Sequence, residues 1–488
     1  MRHTRKKGQI IVQAMVFSTI AILMIGGLIG WAGTNIEVSR QSLEKERAIQ
    51  YAEAGIEYYR WHLAHARTDY QDGTGAPGPY VHNVKDKNGN TVGQFSLKII
   101  PPIIGSTKVR IESTGIPQNK PYLQRTIAVE MAIPSFAKYS VVANDNMRFG
   151  EGTEIFGPLH SNGGIRFDGL SRNVVTSAQA SYDDPDHTGG VEFGVHTHVN
   201  APPGSGVNDA FRPAEAPPST VPSRTDVFEA GRQFPVPAAD FTGITTDLAQ
   251  IKTSAQAGGS YYAASGAQGY QVVVRTNDTY DLYRVLTLTP APSNCTNTQS
   301  QTGWGTWSIN TRQFIANYPI PVNGLIFIED NVWVEGQVNT ARLTITAGRF
   351  PDSPSTRPAI TVNNNLLYTN YDGTDVLALI SQGNINVGLV SATSLRIDAA
   401  LVAQNGRAGR YYYQGPGGGQ SRCSPNHTRT QLTLYGMIAT NLRYGFAYTD
   451  GTGYTTRLIN YDANLLYGPP PSFPLTSDQY EILSWEEL

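Results

Sequence analysis

The chain is poor in cysteine and in charge. Cysteine occurs at two of its 488 residues, Cys295 and Cys423, and no C-x-x-C pair is present, which argues against a thiolate metal site or a dithiol redox site. Charged residues make up 16% and their formal sum is -2, so no basic field favours nucleic acid as a partner. Glycine (49), proline (30) and tyrosine (26) are abundant instead, a composition typical of turn-rich β-structure outside the cell.

The stretch near the N-terminus has no charge at all. No charged residue lies between Lys7 and Glu37, and the apolar part of this interval exceeds the roughly 20 residues that cross the hydrocarbon core of a bilayer. Basic residues precede it, and the positive-inside bias therefore predicts a single-pass membrane protein with a cytoplasmic N-terminus. The bulk of the chain, from about residue 34, is then extracellular and at the cell surface. The basic residues are Arg2, Arg5, Lys6 and Lys7.

Helical periodicity continues past the apolar run. Apolar residues recur mostly three, four or seven positions apart as far as Leu63, without an intervening proline. The pattern predicts one helix over residues 9–66, about 85 Å long at 1.5 Å per residue. A secretory signal peptide cut near Gly30, Trp31 and Ala32 is the alternative.

The order of these features resembles that of a known family. A basic leader that ends in Lys7 and Gly8, an apolar helix that starts at once, and the continuation "YAEAGIEYY" (residues 51–59) resemble the N-terminus of type IV prepilins and pseudopilins, in particular PilX-type minor pilins. The resemblance implies a leader peptide over residues 1–8 and cleavage by a prepilin peptidase between Gly8 and Gln9. It also implies that the helix over residues 9–66 packs against other pilin or pseudopilin subunits in a type IV pilus or a type II secretion-like filament.

Two glutamines depart from the family pattern. Most major pilins carry Phe at the first mature position and Glu at the fifth, whereas this chain has Gln9 and Gln13. The family's glutamate is thought to neutralise the amino terminus of a neighbouring subunit, and Gln13 has no charge with which to do so. The departure favours a minor or capping subunit, while an uncleaved single-pass anchor is the alternative.

The extracellular part is predicted to be mainly β-structure. Residues 67–135 contain a Gly/Pro-rich linker followed by three alternating apolar-polar segments, which predict a small antiparallel sheet of the kind found in pilin headgroups. Beyond it, short β-rich runs separated by Gly and Asn recur, and none is long enough to bury its own apolar face. Stacked coils would bury these faces, so we predict a right-handed parallel β-helix-like solenoid, with a β-sandwich as the alternative.

The predicted solenoid has four parts. They are a first block (residues 136–200), a Pro-rich loop with a short helix (201–270), a main block (271–450) and a C-terminal cap (451–488).

Two short motifs carry metal-ligand residue types. His196 and His198 are spaced like two ligands on one face of a strand, but no third ligand can be assigned, and a surface strand is the favoured interpretation. The run "YDDPDHTGG" has oxygen ligands for calcium but not the EF-hand spacing, and a solvated acidic turn is favoured. We therefore predict no metal and no cofactor. The residues of the run that could bind an ion are Asp183, Asp184, Asp186 and His187.

No pattern for catalysis emerges. His160 and Ser161 are adjacent, without a G-x-S-x-G turn, and the glycine-rich loops lack the strand-loop-helix context of phosphate binding. We predict a non-enzymatic protein for assembly, adhesion or surface contact. The alternative is a membrane-anchored β-helix protein that cleaves or binds surface glycans, with exposed tyrosines at residues 411–413 stacking on sugars.

The extracellular placement bears on the two cysteines. An oxidising compartment would let Cys295 and Cys423 form a disulfide, whereas two buried free thiols are the alternative.

Overall fold

The computed structural model describes residues 7–488, with residues 7–8 and 242–247 described by their backbone alone. The described chain divides into two compact units. The first, which we name the helix–sheet unit, consists of residues 7–101, Lys108–Ala132 and Asp478–Leu488. The second, the ladder unit, consists of Pro102–Thr107 and Ile133–Ser477.

Two α-helices and 31 β-strands make up most of the regular structure of the described residues. The helices are α1 (Lys7–His65) and α2 (Thr242–Gly258). The strands that precede α2 in sequence are β1 (Tyr80–Lys85), β2 (Thr91–Ile100), β3 (Val109–Pro117), β4 (Arg125–Ala132), β5 (Val141–Ala143), β6 (Met147–Phe149), β7 (Thr153–Phe156), β8 (Leu159–Ser161), β9 (Ile165–Phe167), β10 (Leu170–Ser171), β11 (Val175–Ser177), β12 (Ser181–Tyr182), β13 (Glu192–Phe193), β14 (Val195–His196) and β15 (Arg232–Gln233).

The remaining strands follow α2. They are β16 (Ser260–Tyr262), β17 (Gly269–Val274), β18 (Thr279–Leu288), β19 (Ile309–Pro319), β20 (Leu325–Ile328), β21 (Val332–Gln337), β22 (Arg342–Ala347), β23 (Ile360–Thr361), β24 (Leu366–Leu367), β25 (Val376–Ser381), β26 (Ile385–Val387), β27 (Ser394–Ala403), β28 (Ala408–Arg410), β29 (Thr428–Thr440), β30 (Gly453–Tyr461) and β31 (Glu481–Glu487).

The helix–sheet unit is a five-stranded antiparallel sheet covered by one helix. The strand order is β1-β2-β3-β4-β31. Buried and half-buried residues alternate along β3, as expected of a sheet with one face on a core. The second half of α1 covers that face with the buried side chains of Ala52, Ile56, Tyr59 and Leu63.

The C-terminal segment, residues 451–488, does not form the predicted cap. β30 pairs in parallel with β29 on one side and with β7 on the other, so it lies within the ladders. β31 pairs with β4 and so belongs to the helix–sheet unit. The structure differs from the predicted cap because the backbone groups along the open edge of β4 pair with a distant strand, which no local pattern encodes.

The ladder unit contains a continuous run of parallel strands. Adjacent strands in this run are parallel throughout, whereas the alternative β-sandwich would consist of antiparallel sheets. The order along this main ladder is β16, β20, β22, β25, β27, β29, β5, β8, β11 and β15.

Spatial order in the main ladder is not sequence order. Ile438 of β29 pairs with Val141 of β5, so residues 136–200 and 271–450 are not two separate blocks but one ladder joined at this seam. From the seam the chain runs outward to β15, and it later re-enters at β16, the opposite end. The structure differs from the predicted division because parallel strands pair wherever their apolar faces match, whatever their separation in sequence.

An apolar stack crosses the seam without interruption. One residue from each of eight consecutive strands lies directly beside its neighbour, and all are buried. Each residue covers the apolar face of the next, which no single short strand can do alone. In ladder order the stack is Ile326, Ile345, Leu379, Leu401, Ile438, Val141, Leu159 and Val175.

Helix α2 returns the chain along the main ladder, from beside β8 to β20 and β16. The segment before it is fixed beside β8, where the Ala239 amide donates to Asn162 Oδ1 at 2.7 Å. At the other end Asn323, just before β20, donates to the Ser254 carbonyl at 3.0 Å. The 17 residues of α2 span about 25 Å, and Leu248 and Ile251 are buried against the outward side of the ladder.

Part of the predicted main block is antiparallel. β17, β18 and β19 form a meander, of which β17 also pairs in parallel with β21. Residues 279–319 therefore leave the parallel ladders as a hairpin, and most of β19 is exposed.

Candidate functional site

The first half of α1 is an apolar rod. Residues 9–40 are all exposed, and α1 is long and apolar enough to cross a membrane. Its hydroxyl groups are satisfied within the helix: Ser18, Thr19 and Thr34 each donate to the carbonyl four residues earlier, at 2.7–3.0 Å. Such internal pairing suits a lipid environment, where a polar group finds no water.

The predicted processing and assembly residues lie at the start of this rod. Gly8, Gln9 and Gln13 are all within the first two turns of α1, and the side chains of Gln9 and Gln13 are exposed. The basic leader up to residue 6 lies outside the described residues. Cleavage after Gly8 stays a prediction.

Cys295 and Cys423 are joined by a disulfide that closes a separation of 128 residues. It is buried in a small cluster with Leu389 and two tyrosines. The bond attaches the excursion between β18 and β19 to the loop between β28 and β29.

The tyrosines at residues 411–413 are not the exposed sugar platform considered from sequence. Tyr411 and Tyr413 are each only 1% exposed, because they pack around the disulfide. The Tyr413 hydroxyl donates to the Gly305 carbonyl at 2.8 Å, which accounts for its polar end inside the cluster.

His160 and Ser161 are held in structural contacts. His160 is buried, stacks on Tyr139 at 5.1 Å between ring centroids, and has its two ring nitrogens next to Thr176 and Asn162. Ser161 Oγ donates to a backbone carbonyl at 2.6 Å. Burial lowers the pKa of the His160 imidazole below its ordinary value. Among the described residues, no hydrogen bond joins the His160 imidazole to the Ser161 hydroxyl.

An open groove of about 1600 Å³ lies on the ladder unit. Four of the six acidic residues that line it are paired with arginine; for example, Asp186 binds Arg443 and lies 3.2 Å from Arg148, and Asp330 lies 3.6 Å from Arg349. Carboxylates engaged in this way are not poised as an acid–base pair.

The two motifs with metal-ligand residue types come together in the ladder unit. Asp184 follows β12, His187 lies in the loop to β13, Glu192 is in β13, and His196 is in β14 with His198 just after it. One ligand atom from each lies within 4.8 Å of all the others. Of the calcium candidates, Asp183 is exposed and Asp186 binds Arg443, so these two take no part.

Burial contradicts both favoured interpretations of these motifs. His196 and His198 are 0% exposed rather than on a surface strand, and Asp184 is 2% exposed rather than part of a solvated turn. The short strands β12, β13 and β14 turn them inward because β12 pairs with β13 and β14 pairs with β9.

Burial and mutual contacts shift the pKa values of Glu192, Asp184 and His196 in this cluster. Burial alone would raise the pKa of the Glu192 carboxyl, but its contacts with the three imidazoles outweigh burial and hold the pKa well below its usual range. Burial opposes the same effect at Asp184, where contacts led by His196 lower the pKa to about 2. Burial would lower the pKa of His196, but the two carboxylates raise it.

Sequence reasoning missed Glu192. It lies between the two motifs: the pair His196 and His198 has no third ligand of its own, and the acidic run does not have the EF-hand spacing. The combined spacing D-x2-H-x4-E-x3-H-x-H, from Asp184 to His198, places five ligand-type residues within 15 positions and was the available signal.

No protein-family model and no curated protein matches the chain. Among solved structures, the chain is similar to the competence-associated pilin ComZ from Thermus thermophilus, with 12% sequence identity over 91% of this chain and 97% of that one. The TM-score is 0.29.

Proposed function

We propose that the protein is a pilin-like component of the cell surface, anchored by α1 in the membrane and able to enter a filament through the same helix. The observation that carries the proposal is the division of α1 into two halves. Residues 9–40 are exposed and largely apolar, whereas Ala52, Ile56, Tyr59 and Leu63 are buried on a five-stranded antiparallel sheet.

The exposed half of α1 needs a partner that shields its apolar side chains from water. Its large apolar side chains, such as Ile11, Phe17 and Leu23, are each more than 60% exposed. Removing one such side chain from water contributes about 1.5–3 kcal/mol, and soluble monomers rarely expose apolar surface on this scale. A bilayer and a bundle of similar helices would each supply the cover.

Charge supports the orientation that this function needs. The basic residues before Gly8 and the acidic Glu37 after the span favour a cytoplasmic N-terminus. The ladder unit is then extracellular, where oxidising conditions maintain the disulfide between Cys295 and Cys423.

Gln13 favours the role of a minor subunit of the PilX type. A neutral side chain at the fifth position after Gly8 cannot form the charge pair that favours repeated self-assembly. The partners we propose are a prepilin peptidase, which cleaves between Gly8 and Gln9, and other pilin or pseudopilin subunits.

The ladder unit is the part that we propose acts at the surface. We interpret its stacked parallel strands as coils of a β-helix-like solenoid, whose role is assembly, adhesion or surface contact rather than catalysis. Four of the six carboxylates that line the groove are paired with arginine, which supports a non-enzymatic role, and surface glycans are one class of ligand for it.

Filament incorporation tests the proposal. The full chain is produced in a host with a type IV pilus system, filaments are sheared off, and the chain is quantified by mass spectrometry relative to the major subunit. We expect a substoichiometric amount in the filament fraction, and a larger amount for Gln13→Glu, because a carboxylate restores the charge pair. Ser18→Ala, which changes a hydroxyl already satisfied within α1, is the matched control. A chain that stays in the membrane fraction in all three forms would contradict the proposal.

A further inference from the structure

We propose that Asp184, His187, Glu192, His196 and His198 form a binding site for one divalent transition-metal ion of the zinc class. All five side chains lie on a segment of 15 residues, and each directs one ligand atom to a common centre. The proposal rests on this cluster alone and is independent of the pilin-like function.

The distances between ligand atoms fit coordination. Nε2 of His187, His196 and His198 lie 2.9, 2.7 and 3.1 Å from Glu192 Oε2. Asp184 Oδ2 lies 3.7 Å from His187 Nε2 and 3.5 Å from His196 Nε2. Bonds of about 2.0–2.2 Å at tetrahedral angles place ligand atoms about 3.4 Å apart, so an ion at the centre is within reach of the group.

Hydrogen bonds alone do not account for the arrangement. Three imidazole nitrogens converge on Oε2 of Glu192. The nearest of them, Nε2 of His196, is only 2.7 Å away but does not have the orientation of a hydrogen bond. Both ring nitrogens of His196 are buried without a hydrogen-bond partner, and so is Asp184 Oδ2. Buried polar atoms are nearly always paired, so orphaned atoms that face one another indicate an absent partner of another kind.

The charges of the cluster match a dication. Asp184 and Glu192 bring two negative charges to a centre with three imidazoles, which are neutral as metal ligands. Arg166 lies 3.7 Å from Asp184 Oδ2, but its charge is already balanced, because it binds Asp168 at 2.7 Å and also pairs with Asp209. A divalent ion therefore gives a neutral buried site, whereas a monovalent ion leaves net charge in a medium of low dielectric.

Outer contacts hold the ligands in place. His198 Nδ1 lies 2.7 Å from the Asn208 carbonyl, which fixes its N–H there and leaves the Nε2 lone pair for a metal. Glu192 Oε1 accepts from the Arg212 amide at 2.9 Å, and Asp184 Oδ1 accepts from the Asp186 amide at 3.1 Å. These bonds occupy the oxygens that point away from the centre.

Aromatic rings close the site. Tyr182 packs against His196 at 5.4 Å, and Phe211 against His187 at 6.2 Å, between ring centroids. The side chains of the five ligands are 0–4% exposed. A site with protein ligands on every side and no open face binds a structural ion rather than one that activates substrate.

The ligand types select the ion. Three imidazole nitrogens suit zinc, copper, nickel or iron, whereas calcium and magnesium take oxygen ligands almost exclusively. No thiolate takes part, since both cysteines of the chain are in the disulfide. We expect the ion to cross-link β12, β13 and β14 with the loops between them, a region of very short strands with few ladder hydrogen bonds.

Metal content tests the proposal directly. The detergent-solubilised full chain is stripped with a chelator, reloaded with Zn²⁺, desalted and analysed by elemental mass spectrometry. We expect one zinc per chain. His196→Ala and His198→Ala each remove a ligand. Mutation of an outer contact typically lowers metal affinity about 10–100-fold, and we expect these two variants to lower the zinc affinity by more than that.

Two matched controls accompany these variants. His427→Ala removes a half-buried histidine elsewhere in the ladder unit, and Asp183→Asn neutralises the exposed carboxylate beside Asp184. Both are expected to bind zinc as the unmodified chain does. Unchanged affinity in His196→Ala, or equal loss in the controls, would overturn the assignment.

Zinc X-ray absorption on the unmodified chain decides the matter should the histidine variants fail to fold. We expect a first shell at about 2.0–2.1 Å with multiple scattering from three imidazoles and with oxygen. A shell with one imidazole or none, or a zinc content far below one per chain at saturation, would refute the site.

Discussion

Gly115→Val is expected to detach α1 from its sheet. A Cβ atom at Gly115 would lie 1.8 Å from the Ala48 carbonyl oxygen and 2.7 Å from the Ala52 amide nitrogen, both in the backbone of α1. Backbone cannot move aside as a flexible side chain can, so helix and sheet must separate. We expect a loss of about 3 kcal/mol or more in the local free energy of opening.

The same close approach explains a glycine inside α1. A Cβ at Gly55 would lie 2.3 Å from Ser113 Oγ and 2.9 Å from a ring carbon of Phe95. Glycine in a helix interior costs about 1 kcal/mol relative to alanine, and here that cost is offset by contact between the helix and β2 and β3. Gly55→Leu is therefore expected to act in the same direction as Gly115→Val.

Hydrogen exchange followed by mass spectrometry checks this prediction. Peptides from residues 48–63 and 91–117 are expected to exchange faster in Gly115→Val, while peptides of the ladder unit keep their protection. Glu53→Ala, an exposed change on α1, serves as the control and is expected to have no effect. Unchanged protection in Gly115→Val would show that the helix does not pack at this distance.

Loss of the disulfide is expected to have the second largest effect. Removing a native disulfide costs about 2–5 kcal/mol, and long loops lie at the upper end in the chain-entropy model; the bond between Cys295 and Cys423 closes a separation of 128 residues. In the double variant Cys295→Ala and Cys423→Ala, the excursion between β18 and β19 loses its attachment, and Tyr411 and Tyr413 become accessible to solvent.

Alkylation and exchange measure this effect. Without reductant, neither cysteine is expected to react, and peptides covering residues 290–308 are expected to exchange faster in the double variant. Met437→Leu, a volume-conserving change in the core of the ladder unit, is the control for general loosening. Alkylation of both thiols in the unreduced, denatured protein would contradict the disulfide.

Local patterns predicted the elements well. The absence of charge from residue 8 to residue 36, and the spacing of Ala52, Ile56 and Leu63, correspond to a single helix, Lys7–His65. Alternation in residues 90–133 likewise matched β2, β3 and β4. These features depend on residues a few positions apart, which a sequence displays directly.

Distant pairings were beyond such reasoning. The seam between Ile438 and Val141 joins residues about 300 positions apart, and β31 pairs with β4 although most of the chain lies between them in sequence. Several strands of two or three residues have interchangeable apolar faces, so the sequence does not state which neighbour each one takes. The cluster of Asp184, Glu192 and the histidines was not predicted for a related reason, because Glu192 comes beside the other side chains only when β12 and β13 pair.

We propose that α1 is processed at its N-terminus and serves in membrane anchoring and assembly, and the mass of the mature N-terminal peptide measures that processing. The full chain is produced with a prepilin peptidase, extracted from membranes and mapped by mass spectrometry. We expect a mature chain that begins at Gln9. A chain that retains Met1, or one that begins at Gly33 after signal-peptide cleavage, would contradict it.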